Sequence, residues 1–254
     1  MKMFLKLICP FLIFSLLLSG CGTAETATEP IVFPEVTPTE TAEATVPAEI
    51  VVSENTIGSI DNFDYELWKD SGVTFMTLKS NGLYSCQWKD INNALFRVGN
   101  KLDCTKTWEE LGEISIDYGA HYFPVGNSYL CIYGWSREPL VEYYVVESWG
   151  DWRPPGSESV GVITVDGAEY DVYSTTRLNQ PSIDGTKTFQ QFWSVRKDKS
   201  TEGTVFLSDH FRAWRELGLE LGKLYEIALT VEGYQSSGQA DIYQNDIKYG
   251  SLIP

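Results

Sequence analysis

The sequence predicts an all-β fold, a two-sheet β-jelly roll curled around a cleft, with one α-helix. Three observations carry this reading. Aromatics make up 13% of the 254 residues, and Gly numbers 21, a composition of strands and tight turns. From residue 56 onward, short aromatic or β-branched runs alternate with turn residues. Only one stretch carries helical spacing: Phe211, Trp214 and Leu217, with Ser208 or Asp209 as cap and Gly218 and Gly222 as terminators. Many strands with one helix favour a jelly roll over repeated βαβ units.

The first 20 residues read as an address. Lys2 and Lys6 precede an apolar run, Leu7 to Leu18, that is too short to span a bilayer. The run ends in Leu18-Ser19-Gly20-Cys21, similar to a bacterial lipobox. The expectation is a lipoprotein signal peptide over 1–20, lipidation at Cys21, and an exported protein anchored at the extracellular face of the bacterial membrane. Such an anchor tethers the chain and does not span the membrane. Residues 21–55 are rich in Thr, Glu, Ala and Pro, and from Gly22 to Glu54 carry no Lys or Arg. They read as a flexible linker. Residues 56–254 then form one domain in the size range of a single β-sandwich or barrel.

The strands follow in order: Gly82 to Trp88, Leu95 to Val98, Asn127 to Trp135 and Val141 to Trp149. A hairpin joins Gly161–Val165 to Tyr170–Arg177 through Asp166-Gly167, a pair suited to a tight turn. Phe189 to Arg196, Gly203 to Leu207, Tyr225 to Glu232 and Ala240 to Tyr243 complete the set.

Charge and composition exclude several functions. The net charge is −16, which repels phosphate backbones and argues against nucleic acid as a partner. Only two His are present and no CxxC occurs, so no metal site is expected. Cys9 lies in the signal, which leaves Cys86, Cys104 and Cys131 beside the lipid-site Cys21. They permit at most one disulfide, with Cys86–Cys104 the nearest pair and buried free thiols the alternative.

Strand alternation singles out two acids. In Val141 to Glu147, Glu142, Tyr144 and Val146 share one face, and Tyr143, Val145 and Glu147 share the other. Glu142 therefore sits among aromatics, where a carboxylate is costly unless it is bonded or used. Glu232 closes a second apolar strand, just before Gly233-Tyr234. Two carboxylates flanking a glycosidic bond are the usual apparatus of glycoside hydrolysis. Glu147, on the opposite face, reads as a surface or structural acid. His210 reads as a packed residue of the helix, and His121 as an exposed residue in an irregular stretch.

At these residues the sequence resembles a known family. Asn127 to Trp135 is similar to the strand leading into the cleft of family-11 glycoside hydrolases, and Pro139 to Glu147 to their nucleophile motif. Tyr173, Thr175 to Arg177 and Asn179 to Gly185 resemble their thumb. Gln191 to Arg196 resembles a further cleft strand, and Glu232 to Gly238 their acid/base motif. The resemblance runs from near Ile60 to near Ile247. It implies a cofactor-independent endo-1,4-β-xylanase that cleaves internal bonds of xylan with retention and works as a monomer. By motif position, Glu142 resembles the nucleophile and Glu232 the acid/base. Tyr144 matches the tyrosine bonded near the nucleophile, and Tyr133 the tyrosine facing the sugar at the cleavage point. Arg177 and Gln191 match polar cleft residues, and Pro181 and Ile183 lie at the thumb tip. Trp68 looks like the stacking tryptophan at the far glycone end, and Trp135 is a further aromatic assigned to sugar contact.

The chain also departs from the family pattern. Asn92 to Gly99 holds two more residues after Trp88 than the common version, so the neighbour of the acid/base is Asn93 or Asn92. Either asparagine, in place of an aspartate, implies a near-neutral pH optimum. Gly99-Asn100-Lys101-Leu102 lacks the usual tryptophan. Tyr225 lies one residue too far from Glu232, and Cys104 to His121 is atypical. Two rivals remain. One is a non-catalytic xylan-binding surface lipoprotein on the same scaffold; the other is an enzyme of this fold acting on β-glucan.

Overall fold

A computed structural model describes residues 49–250. Twelve strands join in one hydrogen-bonded sheet: β1 (Ile50–Val52), β2 (Thr56–Ile60), β3 (Phe63–Lys69), β4 (Val73–Leu78), β5 (Tyr84–Lys101), β6 (Ile114–Arg137), β7 (Val141–Trp149), β8 (Gly161–Val165), β9 (Ala168–Ser182), β10 (Gly185–Arg196), β11 (Glu202–Phe206) and β12 (Lys223–Tyr249). The main path runs β1-β4-β5-β12-β6-β7-β10-β9-β8, with β2 and β3 added on β5 and β11 on β6.

Three long strands make two layers out of this one sheet. The first part of β5 pairs with β4 and the second part with β3. The first part of β6 pairs with β11 and the second with β7. β12 lies between β5 and β6 along its length. All three carry a residue of positive φ at the same level: Asp90 (52°), Gly126 (94°) and Gln235 (49°). A left-handed residue inside a strand marks a bulge that bends it. Ser236 pairs with Ile91 and Ser237 with Val125, so the three bends stand side by side. The Ser236 hydroxyl accepts from the Trp88 indole at 3.1 Å, and the Ser237 hydroxyl from the Asp90 amide at 3.0 Å. The Gln-Ser-Ser-Gly stretch after Glu232 is thus a corner device.

Two cores result. The larger lies between the layers and includes Leu67, Tyr84, Phe96, Ile132, Tyr143, Phe192 and Leu229. The smaller lines the concave face and includes Tyr129, Tyr133, Trp135, Tyr144, Phe189 and Trp193. The alternation read from Val141 to Glu147 divides them: Tyr143 and Val145 enter the first, Tyr144 and Val146 the second. The Asp166-Gly167 hairpin forms with both residues at positive φ, 47° and 76°, as a primed turn requires.

Several expectations need correction. Among the described residues there are two α-helices, not one. The short α1 (Trp108–Leu111), in the atypical segment, is opened by a Thr107–Glu110 capping box and buries Trp108. The expected helix is α2 (Leu207–Glu216), but neither Ser208 nor Asp209 caps it. The Ser208 hydroxyl instead accepts from the Ile114 amide and donates to the Gly112 carbonyl. Phe211 and Trp214 pack on Tyr143, while Leu217 is exposed beyond the helix end. β1 lies inside the stretch expected to be linker, and its pairing with β4 brings Ile50 to Val52 into the sheet. Of the two readings of the cysteines the free one holds, with Cys86 and Cys131 buried and Cys104 half-buried. His121 is exposed, but it belongs to the regular strand β6. His210 is packed in the helix as expected, buried between the Ser194 hydroxyl and the Tyr170 ring, and burial lowers its pKa to about 3. Glu147 is buried: Tyr118 and Tyr170 donate to it at 2.8 Å, and Arg196 pairs with it at 2.9 Å. Cys21 and the signal lie outside the described residues.

Candidate active site

A cleft of about 1110 Å³ opens on the concave face. Cross-strand register builds it in rows. Trp135, Glu142, Gln191 and Thr175 are direct partners across β6, β7, β10 and β9. Tyr133, Tyr144, Trp193 and Tyr173 form the next row. Further along, Trp68, Leu95, Glu232 and Tyr129 align across β3, β5, β12 and β6. Side chains two apart on a strand share a face, so all three rows face the same side.

Glu142 is buried and fully engaged. Its Oε1 accepts from the Tyr133 hydroxyl at 2.8 Å and from the Tyr144 hydroxyl at 3.1 Å. Its Oε2 accepts from the Gln191 amide at 2.6 Å, and the Thr175 hydroxyl fixes that amide by donating to its oxygen at 3.0 Å. Burial raises the Glu142 pKa above the usual carboxylate range, while the three donors and the nearby Arg177 charge oppose the rise.

Glu232 is equally buried but poorly served. Its Oε2 has no hydrogen-bond partner among the described residues. Burial first, and the charge of Glu142 second, push its pKa up to about 8; the Tyr144 hydroxyl and the charges of Arg97 and Arg177 act the other way. The Tyr144 hydroxyl donates to Glu142, and its ring is fixed by stacking on Trp193 at 3.8 Å and 4°. One carboxyl held by three donors beside one held protonated is a pair with separated roles.

The structure brings every predicted site residue in the described range to this cleft: Trp68, Asn93, Tyr133, Trp135, Glu142, Tyr144, Arg177, Pro181, Ile183, Gln191 and Glu232 all line it. Asn93 shares the face of Leu95, the register partner of Glu232. Asn92 lines the cleft too, but its side chain is tied to Asp70 and Gln235. The Trp135 indole donates to the Tyr133 hydroxyl at 2.5 Å and packs on Phe189. Arg177 and Pro181 are exposed on the β9–β10 hairpin, whose tip is tied by the Asp184 carboxylate to Arg137 at 2.7 Å.

Sequence reasoning missed one part of the site. Arg97, 7% exposed, pairs with Glu66 at 2.5 Å and Glu226 at 2.8 Å, and Lys101 pairs with Glu66 at 2.9 Å. Glu66, Arg97 and Lys101 line the cleft, as does Tyr225, whose ring lies under Lys101 and Arg137. The signal was present as a lone arginine in the apolar run from Ala94 to Val98. Trp193, Tyr129 and Trp152 are further aromatics on the walls. Among the described residues, no group of three or more His, Cys, Asp or Glu side chains could hold a metal ion.

Comparison with known proteins agrees with this geometry. The model of glycosyl hydrolases family 11 matches residues 60–243. An endo-1,4-β-xylanase A of Thermoclostridium stercorarium is 58% identical over 201 residues, covering 79% of this chain and 31% of that protein. The chain thus spans about a third of that relative's length. An endo-1,4-β-xylanase A of Bacillus pumilus is 54% identical over 207 residues, 81% of this chain and 90% of the relative. The solved structure of the family 11 xylanase from Neocallimastix patriciarum superposes with a TM-score of 0.75 at 37% identity, covering 80% of this chain and all of that one. With the family model matched over most of its folded length, this chain belongs to glycosyl hydrolases family 11.

Proposed function

We propose that the protein is an endo-1,4-β-xylanase that hydrolyses internal bonds of xylan with retention, through a glycosyl-enzyme intermediate. The observation that carries the reading is the pair of buried carboxyls on one cleft, Glu142 saturated with donors and Glu232 held protonated to about pH 8. Glu142 attacks the anomeric carbon while Glu232 gives its proton to the leaving oxygen; Glu232 then takes a proton from the water that cleaves the ester. Retention is supported by the closeness of the two carboxyls, near enough for the Glu142 charge to be the second cause of the raised Glu232 pKa. A retaining pair stands about 5–5.5 Å apart, too close for the water that an inverting pair must admit. Tyr133 and Gln191 hold the nucleophile, and the rows of aromatics offer faces for sugar rings. An open cleft suits attack within a polymer, and the chain needs no cofactor for any of these steps.

The test is reducing-sugar release by residues 45–254, a segment that keeps β1. Turnover of xylan without turnover of carboxymethyl-cellulose is the expected result. Turnover of the cellulose substrate would favour β-glucan as substrate. Xylan binding without turnover would make the protein a surface sugar-capture lipoprotein.

We further propose that the full chain is held at the outer face of a bacterial membrane through lipid on Cys21. The support is the lipobox-like Leu18-Ser19-Gly20-Cys21 and the Thr/Glu/Pro segment behind it, which carries no Lys or Arg from Gly22 to Glu54. No helix among the described residues is long and apolar enough to cross a membrane. The full chain is expected in the membrane fraction of a bacterial host, and Cys21→Ala in the medium or soluble fraction. Equal partition of the two would count against lipidation.

A further inference from the structure

The family resemblance gives no role to the buried charges beside the nucleophile. Four charges meet in and behind the cleft wall, Arg97 and Glu226 buried and Glu66 and Lys101 half-buried. Arg97 on β5 is the centre: its Nη2 reaches Glu66 of β3 at 2.5 Å and its Nη1 reaches Glu226 of β12 at 2.8 Å. Lys101, four residues further along β5 and on the same face, holds the second oxygen of Glu66 at 2.9 Å. Held at both ends, the guanidinium lies over the Tyr133 ring, 5.2 Å from its centroid. The hydroxyl of that same ring donates to Glu142 at 2.8 Å. A chain of contacts therefore runs from Glu66 and Glu226 through Arg97 to Tyr133 and the nucleophile. Taking these charges out of water is costly, and hydrophobic residues of similar volume would generally serve stability as well or better.

We propose that Arg97 is a positioning residue for the nucleophile: its guanidinium, clamped by Glu66 and Glu226, fixes the Tyr133 ring so that the hydroxyl stays on Glu142, and it supplies a fixed positive charge to the two carboxyls.

The geometry demands arginine in particular. A planar fork can bridge two carboxylates through different nitrogens while its face covers a ring; a lysine ammonium is a point charge and cannot do both. The charge acts on Glu232 as well, since Arg97 is among the groups that favour its anion. Glu232 also faces Glu142 and Tyr144 of β7, Tyr129 and Cys131 of β6, and Arg177 of β9. Arg97 itself faces Glu66, Lys101, Tyr133, Glu226 and, further off, Glu142. Removing its charge leaves Glu142 and burial less opposed, so Glu232 becomes a weaker acid.

The inference rests on the reading of Glu142 as nucleophile, so Glu142→Gln is run beside it. Activity surviving in Glu142→Gln would sink that reading, whatever Arg97 does. Two variants address Arg97 in the full chain, each first shown to unfold cooperatively. Arg97→Lys keeps the charge and is expected to lose roughly tenfold in kcat from misplacement of Tyr133, with KM and the basic limb of the pH profile unmoved. Arg97→Gln is expected to lose at least as much and to shift the basic limb upward, because the charge that favoured the Glu232 anion has gone. Wild-type kcat in Arg97→Lys, or an unshifted basic limb in Arg97→Gln, would overturn the proposal. If Arg97→Gln does not fold, Arg97→Lys decides alone, since a merely structural role lowers its melting temperature and leaves kcat per folded molecule intact.

Discussion

Glu142→Gln lowers kcat on xylan by about 10⁴-fold or more, the scale seen when an enzyme loses its nucleophile, and the protein stays folded. The amide is nearly isosteric with the carboxylate and sits in a row fixed by its neighbours, Trp135 on one side and Gln191 on the other. It cannot form the glycosyl ester, and the residual contribution of Glu232 has no intermediate to work on. Stability should move the other way. Burial raises the Glu142 pKa in the folded protein above its unfolded value, even with three donors bonded to it. A carboxyl with a raised folded pKa costs stability once pH rises above its unfolded pKa, because the fold then holds an anion that it disfavours. The neutral glutamine removes that cost. The variant should therefore melt at or above the wild-type temperature at pH 7, and the difference should vanish at acidic pH, where both side chains are neutral. Calorimetry at two pH values with an activity assay reads both halves. A variant that keeps activity, or one that melts far below wild type, would show that the role of Glu142 has been misread.

The site was legible where one strand decided it. Alternation within Val141–Trp149 placed Glu142 and Tyr144 together and sent Glu147 to the far side, and the register across β6, β7 and β10 adds only the partners. The fold class was legible for the same reason, since period-two patterns and an Asp-Gly turn are local properties. What failed was continuity. β5 and β12 each read as two shorter strands, and β6 only as Asn127 to Trp135, because Asp90, Gly126 and the Gln235–Gly238 stretch are turn residues by composition. They do turn the chain, but within strands, and only their side-by-side register shows that they form one shared bend. β1 escaped notice for another reason: three residues at the end of a Thr/Glu/Pro segment carry too little pattern to read. The Arg97 network was illegible because its members come from β3, β5 and β12, far apart in sequence, and Glu226 alone looks like a solvated acid. The helix cap failed on tertiary context: Ser208 bonds to the segment between α1 and β6 instead of to its own helix.

Titration of Glu232 gives the other large effect. In wild type its carboxyl stays protonated to about pH 8, so activity should fall off on the alkaline side around that value. This agrees with the near-neutral optimum implied by asparagine, not aspartate, at position 93. In Glu142→Gln the same carboxyl should titrate at clearly lower pH, because the second largest cause of its elevation, the Glu142 charge, has been removed. It should not return to the value of an exposed glutamate. Burial is the largest cause, and the unpartnered Oε2 persists in the variant. Carboxyl-carbon NMR on labelled protein reads both values directly, and equal values in the two proteins would refute the coupling. The variant also has the charge state of the covalent intermediate, in which Glu142 is an uncharged ester. The downward shift it shows is therefore the shift that would turn Glu232 from acid into base halfway through the reaction. Proton delivery in the first step and proton removal in the second need opposite affinities from one group, and the charge of Glu142, present and then neutralised, supplies that difference without any movement of the chain.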